Sequence, residues 1–218
     1  MAGNLDLIDY YRTTHARRVY GTSSVKNLRF LRPWISILKP GSVLDYGCGQ
    51  SLLIDVLGLP EPVKRLRYDP AIPAYATRPG ETADLLINID VLEHIEEKDI
   101  PGVLADMAAL GRRALIIIDT VPAKHKLPDG RNAHVTLKPH AWWRKQLLKH
   151  FPEVEPMPTP RRTRAGFKTW VSPSSEWLRY RALRLKEDAA HLGKWACGRH
   201  NEHWKVSTTL GPDKKSGQ

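Results

Sequence analysis

Residues 42–118 alternate between short apolar runs of strand length and segments with helical spacing. Strands that are apolar on both faces are typical of a parallel sheet covered by helices on both sides. We therefore predict an α/β fold in which this stretch forms the parallel part of the sheet. The predicted parallel strands are Ser42–Asp45, Arg65–Asp69, Leu85–Ile89 and Ala114–Ile118, and the helices between them include Ser51–Leu59 and Pro101–Gly111.

Further elements flank this core on both sides. Helical spacing predicts two helices before it and two after it, and a final pair of strands is joined by a basic turn at 161–164. The flanking helices are predicted at 5–19, 24–38, 139–151 and 175–192, and the paired strands at Val154–Met157 and Gly166–Val171. We therefore predict an N-terminal helical lid or extension (1–40), a core (41–172), a C-terminal basic helix (173–205) and a disordered tail (206–218).

Charge is distributed unevenly along the chain. The net charge is +11 overall, but it is −6 over residues 41–120, +5 before them and +12 after them. A strongly basic surface attracts anionic partners, so we expect an anionic substrate, with nucleic acid as one possibility. No apolar run approaches the roughly 20 residues that span a bilayer. Two cysteines suit a reducing compartment, and we expect a cytoplasmic protein.

The turn after the first predicted strand carries two glycines, Gly47 and Gly49, which allow the backbone to approach a ligand closely. Asp69 ends the next strand, 24 positions after Asp45, where a βαβ unit presents an acid to ribose hydroxyls. The turn lacks the Gly-Lys-Ser/Thr ending of a phosphate-binding loop. Because Asp45 places negative charge at its mouth, the segment favours a cationic ligand that carries a ribose.

Two motifs in this region resemble those of a known family. Val43-Leu44-Asp45-Tyr46-Gly47-Cys48-Gly49 resembles motif I of class I S-adenosylmethionine-dependent methyltransferases, and residues 83–95 resemble their fourth strand and Val-Leu-Glu-His signature. The resemblance covers about residues 42–120. It implies a Rossmann-like, seven-stranded, mostly parallel sheet with helices on both faces and a hairpin as its last two strands. It also allows an N-terminal helix to cover the cofactor.

The same resemblance implies S-adenosylmethionine as methyl donor and S-adenosylhomocysteine as product. Two departures from the pattern are Gln50 and Ser51, where a small residue and a third glycine are common, and the proline-rich segment 70–82, which abbreviates the second helix and third strand. The implied cofactor contacts are Asp45, Tyr46, Gly47, Cys48, Gly49, Tyr68, Asp69, Pro70, Asn88, Ile89 and Asp90.

The loop 120–138 leaves the carboxyl end of a strand, where open α/β sheets place their reacting groups. We identify His125 and His134 as candidate catalytic bases near neutral pH. Lys126 and Arg131 are candidates for holding an anionic acceptor. The alternative is a solvated basic loop around a Pro-Asp-Gly turn.

Two other groups favour structural interpretations. Glu93 and His94 are expected to begin the helix after the Leu85–Ile89 strand, where an acid suits the helix dipole. Cys197, His200 and His203 suggest zinc but lack a clear fourth ligand, so we predict no metal site.

Several functions are compatible with the sequence. The basic flanks favour transfer of a methyl group to an anionic small molecule, glycan or nucleotide-like acceptor. RNA or DNA is a second class of acceptor, although the Asn/Asp-Pro-Pro-Tyr/Phe motif and the Pro-Cys pair of DNA methyltransferases are absent from the sequence. A non-catalytic module that binds S-adenosylmethionine is also compatible with these motifs, and so is a non-methyl use of the same cofactor.

Overall fold

The computed structural model describes residues 6–196, which form one six-stranded sheet. Its strands are β1 (Ser42–Tyr46), β2 (Lys64–Tyr68), β3 (Leu85–Ile89), β4 (Ala114–Asp119), β5 (Glu155–Pro156) and β6 (Arg164–Lys168). They lie in the order β2-β1-β3-β4-β6-β5. The first four are parallel, β6 runs antiparallel to β4, and β5 pairs antiparallel with β6. The predicted α/β class and closing hairpin are therefore confirmed.

The prediction of seven strands is wrong, because no strand forms between β2 and β3. Segment 70–82 contains Pro70, Pro73 and Pro79 and folds into loops and a short 3₁₀ turn, Pro73–Tyr75. Proline has no amide hydrogen to donate and fixes its own φ, so three prolines prevent a regular strand or helix. As a result, β2 is the edge strand of the sheet.

Six α-helices accompany the strands in the described range. They are α1 (Leu7–Arg17), α2 (Leu28–Leu38), α3 (Leu53–Val56), α4 (Ile100–Leu110), α5 (His140–Leu147) and α6 (Ser174–Ala196). The helix predicted at 51–59 is reduced to α3, which begins where Ser51 Oγ accepts the Leu53 amide. In contrast, α6 continues to Ala196, beyond residue 192, where the predicted helix ends. The predicted tail at 206–218 lies outside the described residues.

The helices cover both faces of the sheet, as predicted. On one face, α2 and α6 meet through aromatic side chains: the rings of Trp34 and Tyr180 stack with centroids 4.5 Å apart. On the other face, α4 and α5 bury Leu104, Met107 and Trp143 against the sheet. Since both faces are filled, the open edge at the carboxyl ends of β1 to β4 is where polar groups collect.

No helix in residues 6–196 combines the length and the apolar character required to cross a membrane.

Candidate functional site

The turn after β1 depends on glycine at two positions. Gly47 and Gly49 have φ of 74° and 51°, which lie in the left-handed region that side chains disfavour. The Tyr68 carbonyl at the end of β2 accepts hydrogen bonds from the amides of Gly47 (2.7 Å) and Cys48 (3.3 Å). A Cβ at Gly47 would lie 2.5 Å from Cγ2 of Val91, so a larger residue would displace the segment after β3.

Asp69 links this turn to the end of β2. Its Oδ2 accepts the Gly49 amide at 2.8 Å and its Oδ1 accepts the Ala71 amide at 2.9 Å. The residue is 9% exposed. A carboxylate offers about four lone-pair positions, so Asp69 retains acceptor capacity for a hydroxyl-bearing ligand beside the turn.

Asp45 lies beneath the turn, near the end of β1, and is only 3% exposed. Its Oδ2 is buried and hydrogen-bonds to no atom of the described chain. Burial, opposed by the positive charge of Arg67, raises the pKa of Asp45 from 3.8 to about 7. An unpaired buried carboxylate oxygen is costly, and a cationic ligand next to it would remove that cost.

The end of β3 contributes two more polar side chains. Asn88 donates through Nδ2 to the Tyr46 carbonyl at 2.9 Å, whereas its buried Oδ1 has no partner within residues 6–196. Asp90 has a φ of 57°, and its Oδ2 accepts hydrogen bonds from Ser23 Oγ (2.5 Å) and Arg164 Nη2 (2.9 Å). Partners from two other segments therefore hold Asp90 in the left-handed region, which residues other than glycine adopt infrequently.

An N-terminal segment, residues 7–24, crosses this edge of the sheet; we call it the lid. It reaches the ends of all four parallel strands. Gly21 packs so closely against Gly49 that a Cβ on Gly49 would lie 3.2 Å from the Gly21 carbonyl oxygen. The lid contacts are Arg12 Nη2 to Pro70 O (3.4 Å), Tyr20 N to Gln50 Oε1 (2.9 Å), Ser23 Oγ to Asp90 Oδ2 (2.5 Å), Tyr11 Oη to His94 Nδ1 (2.7 Å) and Tyr20 Oη to His125 Nε2 (3.0 Å).

Some residues expected to contact the cofactor point elsewhere. The Tyr46 hydroxyl donates to Asp106 Oδ2 at 2.8 Å, and its ring packs against that of Tyr68 on the α4 side of the sheet. Cys48 is 2% exposed, and burial raises the pKa of its thiol. The side chains of Tyr46 and Cys48 are buried, so their backbone is the part that faces a ligand at the turn. Ile89 is likewise buried in the core.

Both predicted base residues lie at the same edge, on the loop after β4. His125 Nε2 forms a hydrogen bond with the Tyr20 hydroxyl. Burial lowers the pKa of His125, and the positive charge of Arg18 lowers it further. His134 places Nδ1 2.6 Å from the Val121 carbonyl oxygen. The two histidines are therefore held by different partners, His125 by the lid and His134 by its own loop.

The expectation that Glu93 and His94 begin a helix is wrong. They lie in a short 3₁₀ turn, Leu92–His94, and α4 begins only at Ile100. Glu93 is fully buried, and burial followed by the charge of Asp90 raises its pKa. Burial lowers the pKa of His94 to about 3, with a further contribution from His134. The sequence signal for this pair was the Val-Leu-Glu-His segment, but nothing in it indicated the contact with His134.

Solved structures share this architecture. Magnesium protoporphyrin IX methyltransferase (ChlM) from Synechocystis PCC 6803, solved with bound S-adenosylhomocysteine, is 17% identical over 75% of this chain and 98% of its own, with a TM-score of 0.51. The N-methyltransferase NodS from Bradyrhizobium japonicum WM9, also with S-adenosylhomocysteine, is 12% identical over 75% and 99%, with a TM-score of 0.50. The chain has the fold of class I methyltransferases.

The methyltransferase fold also occurs within longer proteins. An O-methyltransferase family protein from Burkholderia thailandensis is 14% identical, with a TM-score of 0.52, and matches 76% of this chain but only 59% of its own length. No protein-family model and no curated protein sequence matches the chain. Identities this low show a shared fold, so the activity has to be argued from the site.

Proposed function

We propose that the chain is an S-adenosylmethionine-dependent methyltransferase whose donor binds at the turn after β1, under the lid. The observation that carries this proposal is the buried, unpaired Oδ2 of Asp45 beside a two-glycine turn. A cationic ligand satisfies that oxygen, whereas a pyrophosphate would be repelled by it. The donor supplies an activated methyl group next to a positively charged sulfur.

The residues of the turn have separate tasks in this proposal. Asp45 holds the amino group of the methionine moiety, and Asp69 accepts the ribose hydroxyls while keeping its bonds to the Gly49 and Ala71 amides. Backbone groups of Asn88 and Asp90 border the methionine moiety. The lid excludes water from this edge through its contacts with the ends of all four parallel strands.

An anionic acceptor fits the surface beside the turn. A cavity of about 510 Å³ extends over the β5–β6 hairpin and the start of α5. Arg164 connects it to the donor edge, since it pairs with Asp90 at 2.9 Å and lies 3.7 Å from Asp119. The basic residues that line the cavity are His140, Arg144, Arg161, Arg162 and Arg164.

Small anions suit this cavity better than a nucleic-acid duplex does, because its charge is gathered in one pocket. The second basic surface, on α6, is partly neutralised: Arg184 pairs with Asp188 at 2.7 Å, and Arg29 reaches the same carboxylate at 3.0 Å. His125 or His134 removes a proton from the acceptor where the acceptor requires it. Most of the rate then comes from positioning the two reactants.

The donor site is tested by the binding of S-adenosylhomocysteine, measured by calorimetry and by thermal shift. The variant is Asp69→Asn, which keeps the shape of the side chain but replaces one acceptor oxygen with a donor. We expect at least about a tenfold loss of affinity, since hydrogen bonds to charged groups contribute about 1.5–3 kcal/mol. Turnover is then assayed with labelled donor and pools of anionic metabolites and RNA.

Asp84→Asn is the matched control for that variant. Asp84 precedes β3 at the opposite edge of the sheet and also accepts a glycine amide, from Gly41 at 2.9 Å. The control should bind S-adenosylhomocysteine as the unmodified chain does. Equal affinities for the Asp69 and Asp84 variants would refute the proposed placement of the ribose.

A further inference from the structure

Three ligand-type side chains converge where the turn after β3 meets the loop after β4. Glu93, His94 and His134 each offer one ligand atom, and the three atoms lie within 4.8 Å of one another. The two segments are joined by backbone hydrogen bonding, with the Thr136 amide donating to the Glu93 carbonyl at 3.1 Å. The cluster therefore belongs to the ordered framework of this edge.

Both imidazoles are oriented through a backbone carbonyl. His94 Nδ1 lies 2.8 Å from the Ala133 carbonyl oxygen, and His134 Nδ1 lies 2.6 Å from that of Val121. A carbonyl only accepts, so each Nδ1 carries the proton and each Nε2 keeps its lone pair. Metal-binding histidines in proteins are held in this way, with one ring nitrogen donating to a carbonyl and the other facing the ion.

Glu93 provides a second, independent observation. Its Oε1 accepts the Asp119 amide at 2.9 Å, which fixes the carboxylate, while its Oε2 is buried without a hydrogen-bond partner in the described chain. The side chain is fully buried. A fixed, buried carboxyl group with one unpaired oxygen, clustered with two imidazoles whose ligand atoms lie within 4.8 Å of its own, offers the donor atoms that a bound cation requires.

We propose that Glu93, His94 and His134 bind one divalent transition-metal ion. Two imidazoles and a carboxylate suit ions such as Zn²⁺, Mn²⁺, Co²⁺ or Fe²⁺ better than Mg²⁺ or Ca²⁺, which prefer oxygen ligands. Three protein ligands leave a coordination position open, as in catalytic rather than structural sites. This proposal departs from the sequence prediction that the chain has no metal site.

The location gives the ion a role that rests on the proposed function. The cluster lies at the same edge as the donor turn, three residues beyond Asp90, and the lid touches it through Tyr11. An open coordination position there binds an anionic oxygen of the acceptor and orients it towards the methyl group. As a metal ligand, His134 is not the base, and His125 alone keeps that role.

Metal binding is tested directly with Co²⁺, by visible absorption and by calorimetry with Zn²⁺ as competitor. The background for these measurements is the full chain carrying Cys197→Ser, His200→Ala and His203→Ala, so that these three ligand-type residues do not contribute. We expect one Co²⁺ per chain. Glu93→Gln and His134→Asn should each weaken binding by at least about tenfold.

His125→Asn is the matched control, because His125 lies in the same loop but outside the cluster. It should bind Co²⁺ as the background chain does. No Co²⁺ binding by the background chain, or undiminished binding by His134→Asn, would overturn the proposal. Should Glu93→Gln fail to fold, the half-buried His134 still provides the test.

Thermal shift with S-adenosylhomocysteine on the same proteins separates the two proposals. If the chain binds S-adenosylhomocysteine but does not bind Co²⁺, the metal site is refuted and the donor site stands. If it binds Co²⁺ but does not bind S-adenosylhomocysteine, the donor site is refuted and the metal site stands.

Discussion

Replacement of Asp45 by asparagine should remove a pH-dependent loss of stability and should weaken ligand binding. The native chain buries the Asp45 carboxyl with Oδ2 unpaired, and burial raises its pKa from 3.8 to about 7. Between these two values the unfolded chain has released the proton while the native chain still holds it. The native state binds more protons, so stability falls as pH rises through this window.

The size of this effect follows from the shift. A rise from 3.8 to about 7 corresponds to roughly 4 kcal/mol lost between pH 4 and pH 8. Asp45→Asn cannot ionise and does not incur that loss. From pH 4 to pH 8, the free energy of unfolding of the variant should therefore rise by roughly 4 kcal/mol relative to that of the unmodified chain. A constant cost of burying the amide does not change this pH dependence. For a chain of this size, that difference corresponds to a change of about 10 °C in Tm.

The assay is urea unfolding of both proteins at pH 4, 6 and 8, followed by calorimetric titration with S-adenosylhomocysteine. Because the ammonium group stabilises the ionised carboxylate, binding to the unmodified chain near pH 7 should release a fraction of a proton, which appears as a dependence of the binding heat on the buffer. The variant should bind more weakly, without that release. A constant stability difference across the three pH values would refute the argument from burial, and undiminished affinity would refute the contact with the donor.

Three further predictions concern the turn, the lid and the cavity. Gly47→Ala should lower the free energy of unfolding by about 2–4 kcal/mol, because its Cβ would meet Val91. Gly130→Ala, at φ 85° in open space, is the control and should lower it by about 1 kcal/mol. Equal losses for the two variants in urea unfolding would contradict this reasoning. Amides of α1 should exchange hydrogen more slowly with S-adenosylhomocysteine bound, and unchanged rates would exclude the lid from the site. Replacing Arg161 and Arg162 together by alanine should raise the Kd for pyrophosphate at least about tenfold. The Kd for S-adenosylhomocysteine should stay unchanged. An unaltered Kd for pyrophosphate would rule out the cavity as the anion site.

The sequence was informative where local chemistry decides the structure. The four parallel strands, the turn at Gly47 and Gly49, and the position of Asp69 at the end of β2 all follow from patterns within a few residues. The absence of the seventh strand also has a local signal, in the prolines of segment 70–82. The usual seven-stranded architecture implies a strand there, whereas the prolines exclude one.

Contacts between distant segments could not be predicted in this way. Glu93 and His94 are separated from His134 by about 40 residues, and their approach depends on how the loop after β4 folds back through the bond from Thr136 to Glu93. The lid contacts are similar, since Tyr20 meets His125 across 105 positions. Periodicity specifies which face of an element is buried, but it carries no information about which loops meet.

The distribution of unpaired polar atoms distinguishes a ligand site from a structural turn. Within the described residues, eight buried side-chain polar atoms have no hydrogen-bond partner, and four of them are oxygens at the ends of β1 and β3, on Asp45, Asn88, Asp90 and Glu93. Each unpaired group costs about 1–3 kcal/mol. A turn that served only the fold would gain by pairing them, as Asp69 pairs with two amides. All four oxygens belong to carboxyl or amide groups, which accept hydrogen bonds and, when ionised, attract cations, so an ammonium group with a neighbouring metal ion would satisfy them.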